Sequence, residues 1–481
     1  MGARRKALLL IVASAAAVFL VAGSAFAQKT FIRGPSSSSR VLAPAHGNDG
    51  PRGPYRGPGW RGPGVIVVAP GLGVPGGYVV DGDFDGPRAL RQQRGARRGP
   101  TGAPPAGERR LVPDEVVIEL ANTVSERQIE ALQRQYRLTR VESQRFTLTG
   151  TTLYRWHIPD RRSVASVVRS LERNANVVSA QPNYLFTVQE DAAKPAEESD
   201  SSQYALAKLH LPQAHALAKG ADIRVAVIDS AIDRNNAELA GSVAENFDAL
   251  STPFAPHKHG TAVAGLIAAH RKLTGAAPDA KILAVRAFDP SDNGAQGTTF
   301  GILKGLEWAA TNGARVINMS FAGPNDPAMH RSLAAAHKKG IVLVAAAGNA
   351  GAKSPPLYPA ADSNVIAVTA TDANDKLFEQ SNRGKYIDLA APGSDILVAI
   401  PDGYEISSGT SYAAAEVSGI AALMLQRDPA LTPERLRHLL ETSAKDLGPK
   451  GRDAMFGFGL ADAYAAVRAD AAPVASNAGA R

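Results

Sequence analysis

The chain of 481 residues is too long for one compact hydrophobic core, so its length predicts two or three units. It contains no cysteine, which excludes disulfides, thiolate chemistry and cysteine-ligated zinc. The formal net charge of +8 is concentrated near the N-terminus: residues 1–27 carry +3 and residues 28–110 carry +8, which leaves −3 for residues 111–481. The folded part is therefore nearly neutral, which argues against nucleic acid as a partner.

Residues 1–27 have the pattern of a secretory signal peptide. A basic cluster at positions 4–6 precedes the apolar run ALLLIVASAAAVFLVAG, and Ala25-Phe26-Ala27 fits the small-x-small rule for cleavage before Gln28. The apolar run is also about long enough for an uncleaved membrane anchor, but the cleavage signal favours its removal. We therefore expect a secreted or periplasmic protein with no stable membrane span after signal removal.

Residues 28–110 are rich in Gly, Pro and Arg, as in PRGPYRGPGWRGPG (51–64). Such a composition buries too little apolar surface to offset the entropy of ordering, which predicts a disordered basic segment. Arginine interleaved with aromatic residues is also typical of segments that bind single-stranded nucleic acid. Export favours the simpler interpretation, a basic linker.

The stretch from 111 to 189 alternates strand and helix patterns and is the first predicted folded domain. In SERQIEALQRQY the apolar residues have helical spacing, and Ser125 is the candidate cap. The last segment, VVSAQPNYLFTV, is predicted as a strand that Pro182 interrupts. The order strand, helix, strands, helix, strand predicts a small α+β sandwich of ferredoxin-like order. Strands are expected at 115–121, 151–158 and 177–188, and helices at 125–136 and 163–173.

An acidic linker, residues 190–202, separates this domain from a second one at 203–467. In the second domain, continuous Val, Ile and Ala runs alternate with helical patterns, as parallel strands covered on both faces require. We therefore predict an α/β domain with a parallel sheet, followed by a disordered tail at 468–481. Strands are expected at 223–229, 280–288, 314–321, 341–348 and 364–370, and helices at 259–270, 299–313, 332–340, 411–425 and from Thr432 onward.

Three polar residues stand at strand ends or helix starts of the second domain. Asp229 closes the apolar strand VAVID, His259 opens the helix that begins HGT, and Ser411 opens the helix that begins GTS. Ligand sites of parallel α/β sheets lie at the carboxyl ends of the strands, so we expect all three residues at one edge. A serine hydroxyl needs an imidazole to take its proton, and the imidazole needs a carboxylate to orient it. The pattern therefore predicts a nucleophilic serine with its general base.

A fourth residue, Asn349, follows a buried strand in the glycine-flanked turn AAAGNAG. Its side-chain amide and the backbone N–H of Ser411 would together hold the oxyanion of an acyl-transfer reaction. Each residue alone has a simpler explanation, because Asp and Ser are common helix caps and Asn is common in left-handed turns. The four residues in this order and context favour catalysis.

These motifs resemble those of the subtilisin-like serine proteases (subtilases). The similar blocks contain VAVIDSAID, HGTAVAGLIAA, GLEWAATNGARVINMSFAG, VLVAAAGNAG and GTSYAAAEVSG, and the resemblance covers roughly residues 203–467. The chain order Asp, His, Ser is also the subtilisin order. The 111–189 domain is similar to subtilase propeptides, and QPNY (181–184) near its end strengthens the similarity.

The resemblance implies an exported serine endopeptidase made as an autoprocessed preproenzyme, with its own propeptide as folding helper and intramolecular inhibitor. The end of the propeptide would occupy the substrate groove, and cleavage between 186 and 203 would release the protease. Substrates would be proteins or peptides, and small residues in the specificity pocket imply a preference for medium to large apolar side chains. The residues carried over are the triad Asp229, His259 and Ser411, the oxyanion amide Asn349, the substrate strand Ser320, Phe321 and Ala322, and the pocket wall Ala346, Ala347 and Gly348.

Several positions depart from the family pattern, and none of them is a catalytic position. They put the rate and the substrate preference in doubt more than the activity itself. Ala231 and Ala322 stand where glycine is usual, and Tyr412, Ala415 and Glu416 replace methionine, proline and histidine after the serine.

Two other functions fit parts of the sequence. The replacement of family residues after Ser411 would suit a subtilase-like scaffold that binds peptide without turnover. Retention of all four candidate catalytic residues argues against it. A lipase or esterase of the α/β-hydrolase type needs its histidine after the serine. The one histidine available there, His438, lies inside a predicted last helix.

The expected chemistry requires no cofactor, and no metal ligand is assigned. Asp289, Asp292 and Asn293 in FDPSDNGAQG have side chains suited to calcium, but a solvated polar turn is the favoured interpretation. Subtilases commonly bind calcium, so structural calcium is an expectation without assigned ligands. His257, two residues before His259, is predicted to be a loop residue.

Overall fold

The computed structural model describes residues 101–188, 194–195, 203–292 and 294–469, which all belong to one compact unit. The predicted signal peptide, most of the basic segment, most of the acidic linker, Asn293 and nearly all of the tail lie outside the described residues. Within the described part of the chain, no helix is both long and apolar enough to cross a bilayer.

The first domain is a four-stranded antiparallel sheet with two helices on one face. Its elements are β1 (Leu111–Ala121), α1 (Glu126–Tyr136), β2 (Thr139–Phe146), β3 (Thr151–His157), α2 (Val164–Leu171) and β4 (Val177–Val188). The strand order β2-β3-β1-β4 confirms the ferredoxin-like order that the sequence predicted. Alternation along β1 sends Val116, Ile118 and Leu120 into one core with both helices, while Val117 packs on the opposite face.

Local sequence explains the start of α1 but not every strand. The backbone N–H of Ser125, just before α1, donates to the Gln128 side chain at 2.9 Å, as in a capping box. β2 was not predicted, because most of its side chains are polar and exposed. Pro182 lies within β4, opposite Val116, and the register of β1 and β4 shifts next to it, so the proline interrupts the pairing but not the strand itself. A proline is tolerated at such a break in the ladder.

The second domain is built on a parallel sheet with helices on both faces. In chain order the elements are β5 (Lys194–Pro195), α3 (Tyr204–Lys208), α4 (Leu211–His215), β6 (Arg224–Asp229), β7 (Val243–Asp248), α5 (Lys258–Ala268), β8 (Lys281–Arg286), β9 (Phe288–Ser291), β10 (Gly294–Thr298), α6 (Thr299–Thr311), β11 (Val316–Met319), α7 (Pro327–Lys338), β12 (Val342–Ala346), β13 (Ile366–Thr371), β14 (Leu389–Pro392), β15 (Ile396–Ile400), β16 (Gly403–Ser407), α8 (Thr410–Arg427), α9 (Pro433–Ser443) and α10 (Ala463–Ala469). Seven strands pair in parallel in the order β14-β13-β12-β11-β6-β8-β7.

The helices explain why the central strands are continuous apolar runs. Along β6, Val225 and Val227 pack in a core with α5 and α8, while Ala226 and Ile228 pack in a second core with α6 and α7. Strands covered on both faces cannot alternate with polar residues. The predicted helix after Thr432 is present as α9, but it is not the last one, because α10 follows it.

The two domains share one sheet. β10 pairs antiparallel with β4, from Ala295 opposite Val188 to Thr298 opposite Leu185, and β9 pairs with β10. The C-terminal strand of the first domain therefore continues into the second domain, next to the segment that follows β8. This position brings it to the edge of the parallel sheet where the predicted site residues lie.

Candidate active site

Asp229 and His259 form a buried pair at the C-terminal edge of the parallel sheet. Asp229 ends the central strand β6, and His259 lies in the first turn of α5. The Nδ1 atom of His259 is 2.8 Å from Asp229 Oδ1 and 3.0 Å from Oδ2. An ionised carboxylate only accepts hydrogen bonds, so Nδ1 carries a proton, and in the neutral form of the ring Nε2 is the unprotonated nitrogen. Both side chains are almost completely buried, so solvent screens their interaction little.

The Nε2 atom of His259 is buried and makes no hydrogen bond with any described atom. Most buried polar atoms in proteins have a partner, and exceptions are frequent where a reaction supplies one. The ring of Tyr412 lies 6.0 Å from the ring of His259, centroid to centroid. Tyr412 follows Ser411 in the chain, but Ser411 itself makes no hydrogen bond with this nitrogen, since its Oγ contacts the carbonyl of Ser320.

Ser411 lies in the first turn of α8, where backbone N–H groups have no partner inside the helix. Its Oγ donates to the carbonyl oxygen of Ser320 at 3.3 Å, and Ser320 Oγ donates to the carbonyl of Ser411 at 3.1 Å. These reciprocal contacts fix the start of α8 against the segment after β11. A Cβ atom at Gly409 would lie 3.1 Å from Asn349 Nδ2, so glycine permits the close approach of this turn to Asn349.

The side chain of Asn349 is held by Thr410. The backbone N–H and the hydroxyl of Thr410 donate to Asn349 Oδ1 at 3.1 and 2.8 Å, and the hydroxyl accepts from the N–H of Gly348 at 3.1 Å. Two donors on one atom identify it as the amide oxygen, which also fixes the direction of the amide nitrogen. A Cβ at Gly409 would lie 3.1 Å from Asn349 Nδ2 and 3.9 Å from the backbone N of Ser411, so the two donors lie near each other at the start of α8.

The segment Ser320-Phe321-Ala322 lies opposite β4 of the first domain. Thr187 and Ala322 donate to each other's carbonyl, each at 3.0 Å, and so form an antiparallel bridge. β4 is therefore bound on both sides, by β10 and by this segment, as an added strand is in β-augmentation. The predicted substrate strand is thus occupied by the end of the first domain.

The predicted pocket wall, Ala346, Ala347 and Gly348, is buried at the end of β12. Asn382 Nδ2 and the Tyr386 hydroxyl both donate to the carbonyl of Ala347, at 3.0 and 3.2 Å. Gly348 has φ +104°, a left-handed conformation that favours glycine, and a Cβ there would lie 2.6 Å from Asn382 Nδ2. The wall is therefore fixed in position and leads directly into Asn349.

The residues that depart from the subtilase pattern are all buried. The Tyr412 hydroxyl donates to Ser407 Oγ at 2.9 Å. Glu416 lines a small cavity with Gln203, Tyr204 and Leu266, and its Oε2 atom has no described hydrogen-bond partner. Glu416 therefore faces residues other than Ser411. Burial raises the pKa of Glu416 to about 8.

In the acidic loop considered for calcium, Asp289 has protein partners. Asp289 makes an ion pair with Arg286 and accepts from Thr252 Oγ1, and Asp292 is exposed. In the described residues, no group of three or more acidic or histidine side chains is arranged to hold a metal ion. His438, the histidine that a lipase-like arrangement would need, is exposed on α9.

The subtilase family model matches residues 220–459, and the fervidolysin N-terminal prodomain model matches residues 98–183. Thermitase from Thermoactinomyces vulgaris is 37% identical over 277 residues, which make up 56% of this chain and 96% of thermitase. This chain belongs to the subtilase family. The order of its polar residues at the sheet edge, Asp229, His259 and then Ser411, agrees with that assignment.

Two further relatives show how far the similarity of this subtilase extends. Minor extracellular protease Epr from Bacillus subtilis (strain 168) is 34% identical over 324 residues, which are 64% of this chain and 49% of Epr. The subtilase thus spans about half the length of that relative. The crystal structure of fervidolysin from Fervidobacterium pennivorans, a keratinolytic enzyme related to subtilisin, has a TM-score of 0.66 at 24% identity and covers 76% of this chain and 62% of fervidolysin. At that identity, the comparison shows a shared fold.

Sequence reasoning missed several residues that support the site. Ser230 donates its backbone N–H and its hydroxyl to Asp229 Oδ1, at 2.7 and 3.0 Å. Thr410 orients Asn349, and its position beside Ser411 in the GTS motif could have indicated this role. His257 precedes the first turn of α5 and contacts Ser230 through its side chain, whereas the sequence predicted only a loop residue.

Proposed function

We propose that this subtilase is an exported serine endopeptidase that hydrolyses peptide bonds of proteins through Asp229, His259 and Ser411, and that it is made as a preproenzyme that processes itself. One observation carries the proposal. The imidazole of His259 is held by Asp229 through Nδ1, its buried Nε2 has no described partner, and its ring lies near that of Tyr412, the residue after Ser411. That arrangement leaves one nitrogen available to accept the proton of a serine hydroxyl.

The proposal assigns each of these residues a role in the reaction. Ser411 Oγ attacks the carbonyl carbon of the substrate, and its proton passes to His259 Nε2. Asp229 accepts from Nδ1 and stabilises the imidazolium that forms. The side-chain amide of Asn349 and the N–H of Ser411 donate to the oxyanion, whose charge also benefits from the N-terminus of α8.

Collapse of the tetrahedral intermediate breaks the C–N bond. His259 returns its proton to the leaving amine, and an ester between the substrate carbonyl and Ser411 Oγ remains. Water then attacks this ester and gives a proton to Nε2. The proton returns to Ser411 Oγ as the acid product departs, so the enzyme is restored.

The first domain acts in the proposal as an intramolecular inhibitor. β4 fills the groove between β10 and Ala322, and polar side chains fix it there. Gln181 Nε2 donates to Asp326 at 2.6 Å, and the Asn183 side chain accepts from the N–H of Phe300 at 3.1 Å. A substrate cannot enter while β4 remains. Activation therefore requires cleavage after β4 and departure of the domain.

Export is supported by the signal-like pattern of residues 1–27 and by one relative, which is named an extracellular protease. The compartment of the mature enzyme, outside the cell or in the periplasm, depends on the cell envelope of the source. Structural calcium remains a prediction without ligands. Isothermal titration of the purified chain with calcium would test it.

A fluorophosphonate probe tests the catalytic proposal directly. The wild-type chain should be labelled at Ser411 and should cleave itself, whereas Ser411→Ala should do neither. The exposed Ser363→Ala is the matched control and should behave as wild type. A wild-type chain that is neither labelled nor processed would refute the proposal and favour the rival, a scaffold that binds peptide without turnover.

A further inference from the structure

His257 is connected to the catalytic edge by its side chain as well as its backbone. Its backbone N–H donates to the carbonyl of Ala231 at 2.7 Å, and its own carbonyl accepts from the hydroxyl of Thr261 at 2.8 Å. The Nδ1 atom of its half-buried imidazole lies 3.0 Å from Ser230 Oγ. The loop after β6 and the first turn of α5 therefore both hold the backbone of His257, and Ser230 holds its ring.

The hydrogen bonds of the Ser230 hydroxyl determine which atom donates to which. Its Oγ lies 3.0 Å from Asp229 Oδ1, 3.1 Å from the N of Gly260 and 3.0 Å from His257 Nδ1. The carboxylate can only accept, so the single hydroxyl proton goes to Asp229. The two lone pairs of Oγ then accept from Gly260 N–H and from His257 Nδ1–H. Every hydrogen-bonding position of the hydroxyl is used, and its orientation is fixed.

Asp229 Oδ1, the oxygen nearest to His259 Nδ1, thus receives both the hydroxyl and the backbone N–H of Ser230. We propose that His257 is a positioning residue of the protease: it fixes the Ser230 hydroxyl, which fixes the Asp229 carboxylate against His259. This inference rests on the proposed function, and it adds a second histidine to the hydrogen-bonded chain behind Ser411.

His257 also brings an ionisable group close to the catalytic pair. Its Nδ1–H donates in both the neutral and the protonated ring, so protonation adds a positive charge without breaking the contact with Ser230. Like charges repel, so a positive charge on His257 disfavours a second positive charge on the catalytic pair beside it. In the part of the chain that the structure describes, the charged groups on the neighbouring elements include Asp229 on β6, Asp233 in the loop after it, Lys258 on α5 and Glu405 on β16, which lies 3.9 Å from Lys258.

Two substitutions separate the positioning effect from the charge. His257→Asn keeps a side-chain N–H donor and removes the charge, whereas His257→Ala removes both. The measurement is the pH profile of kcat and of kcat/KM on one peptide substrate, with the activated enzyme. We expect the acidic limb of kcat/KM to move up by roughly half a pH unit in both variants. We expect the plateau kcat to fall roughly fivefold in His257→Ala only, with KM unchanged.

His438→Asn is the matched control, since it removes an exposed histidine from α9 and should leave the profile unchanged. If His257→Ala fails to fold, the pH at which kcat/KM of His257→Asn falls on the acidic side still tests the inference. The inference would be overturned if both variants kept the wild-type acidic limb of kcat/KM and the wild-type plateau of kcat. Fluorophosphonate labelling of the wild type keeps the two proposals apart. Without labelling the proposed function fails as well, whereas labelling with unchanged His257 variants removes only the role of His257.

Discussion

Thr187 and Ala322 exchange both of their backbone hydrogen bonds, each 3.0 Å long, across the groove that β4 occupies. In an antiparallel pair, each step forward along one strand is matched by one step back along the other. Ser320 is two residues before Ala322, and Gln189 is two residues after Thr187 in the sequence. The carbonyl of Ser320 is the one that Ser411 Oγ contacts. We predict that self-processing cuts the bond after Gln189, and N-terminal sequencing of the first processed form should begin at Glu190.

An alanine inserted between Val188 and Gln189 distinguishes register from sequence recognition. If the Thr187–Ala322 pair sets the site, the cut should fall two residues after Thr187, which is then after the inserted alanine. A cut that still follows Gln189 would indicate that another protease recognises the sequence. The Ser411→Ala chain should remain uncut in both backgrounds.

Gly323 makes room for Phe186, the fourth residue before the predicted cut. A Cβ at Gly323 would lie 2.2 Å from Phe186 Cδ1, and Phe186 is completely buried with its ring edge-on to Phe321 at 5.9 Å. We expect Gly323→Ala to lower kcat/KM about tenfold or more for peptides with Phe at that position, because overpacking a fixed pocket is destabilising. Peptides with Ala there should be affected little. Equal losses on both peptides would contradict a pocket for an aromatic side chain.

The catalytic edge could be predicted because its residues follow strong local patterns. Asp229 ends one buried apolar strand, Asn349 follows the end of another, and Ser411 begins a long apolar helix. The topology of a parallel sheet therefore brings them to one edge. Burial on both faces made those strands recognisable without any alignment.

Contacts between distant segments could not be predicted in the same way. β10, with the sequence Gly-Ala-Gln-Gly-Thr, has low strand propensity and is a strand through its pairing with β4 and β9. His257 acts through Ser230, which lies in another loop 27 positions away. A single sequence carries no signal for such a side-chain contact.

Thr410 should control the rate through Asn349. Its hydroxyl donates to Asn349 Oδ1 at 2.8 Å and accepts from Gly348 N–H at 3.1 Å. Thr410→Val keeps the shape and loses both contacts, so we expect kcat to fall about tenfold with KM little changed, whereas Thr410→Ser should retain most activity. In subtilisins, loss of one oxyanion donor costs about 100- to 1000-fold in kcat, and Asn349→Ala should fall in that range.

The double variant of these two residues supplies the control. If Thr410 acts by orienting Asn349, adding Thr410→Val to Asn349→Ala should cause little further loss, because the two residues work as one unit. Fully multiplicative losses would show that Thr410 acts on the reaction by another route.

Glu416 should make the fold less stable at alkaline pH. Burial raises its pKa from the ordinary 4.5 to about 8, so the folded state binds the proton more tightly than the unfolded chain does. Its contribution is fully present below about pH 4.5 and is lost progressively as the pH rises through about 8. Glu416→Gln replaces the carboxyl by a group that never ionises. The variant should therefore gain stability over wild type as the pH rises, by several kcal/mol above pH 8 at about 1.4 kcal/mol for each unit of pKa shift.

Urea unfolding at a series of pH values measures this gain, with both chains in a Ser411→Ala background to prevent self-digestion. Glu379→Gln, at an exposed position, is the matched control and should show a stability difference that changes little with pH. The expected signature is a difference in unfolding free energy that is small at acid pH, grows between about pH 4.5 and 8, and then levels off. A difference independent of pH would mean that Glu416 ionises as readily in the folded protein as in the unfolded chain, with a partner that compensates its burial.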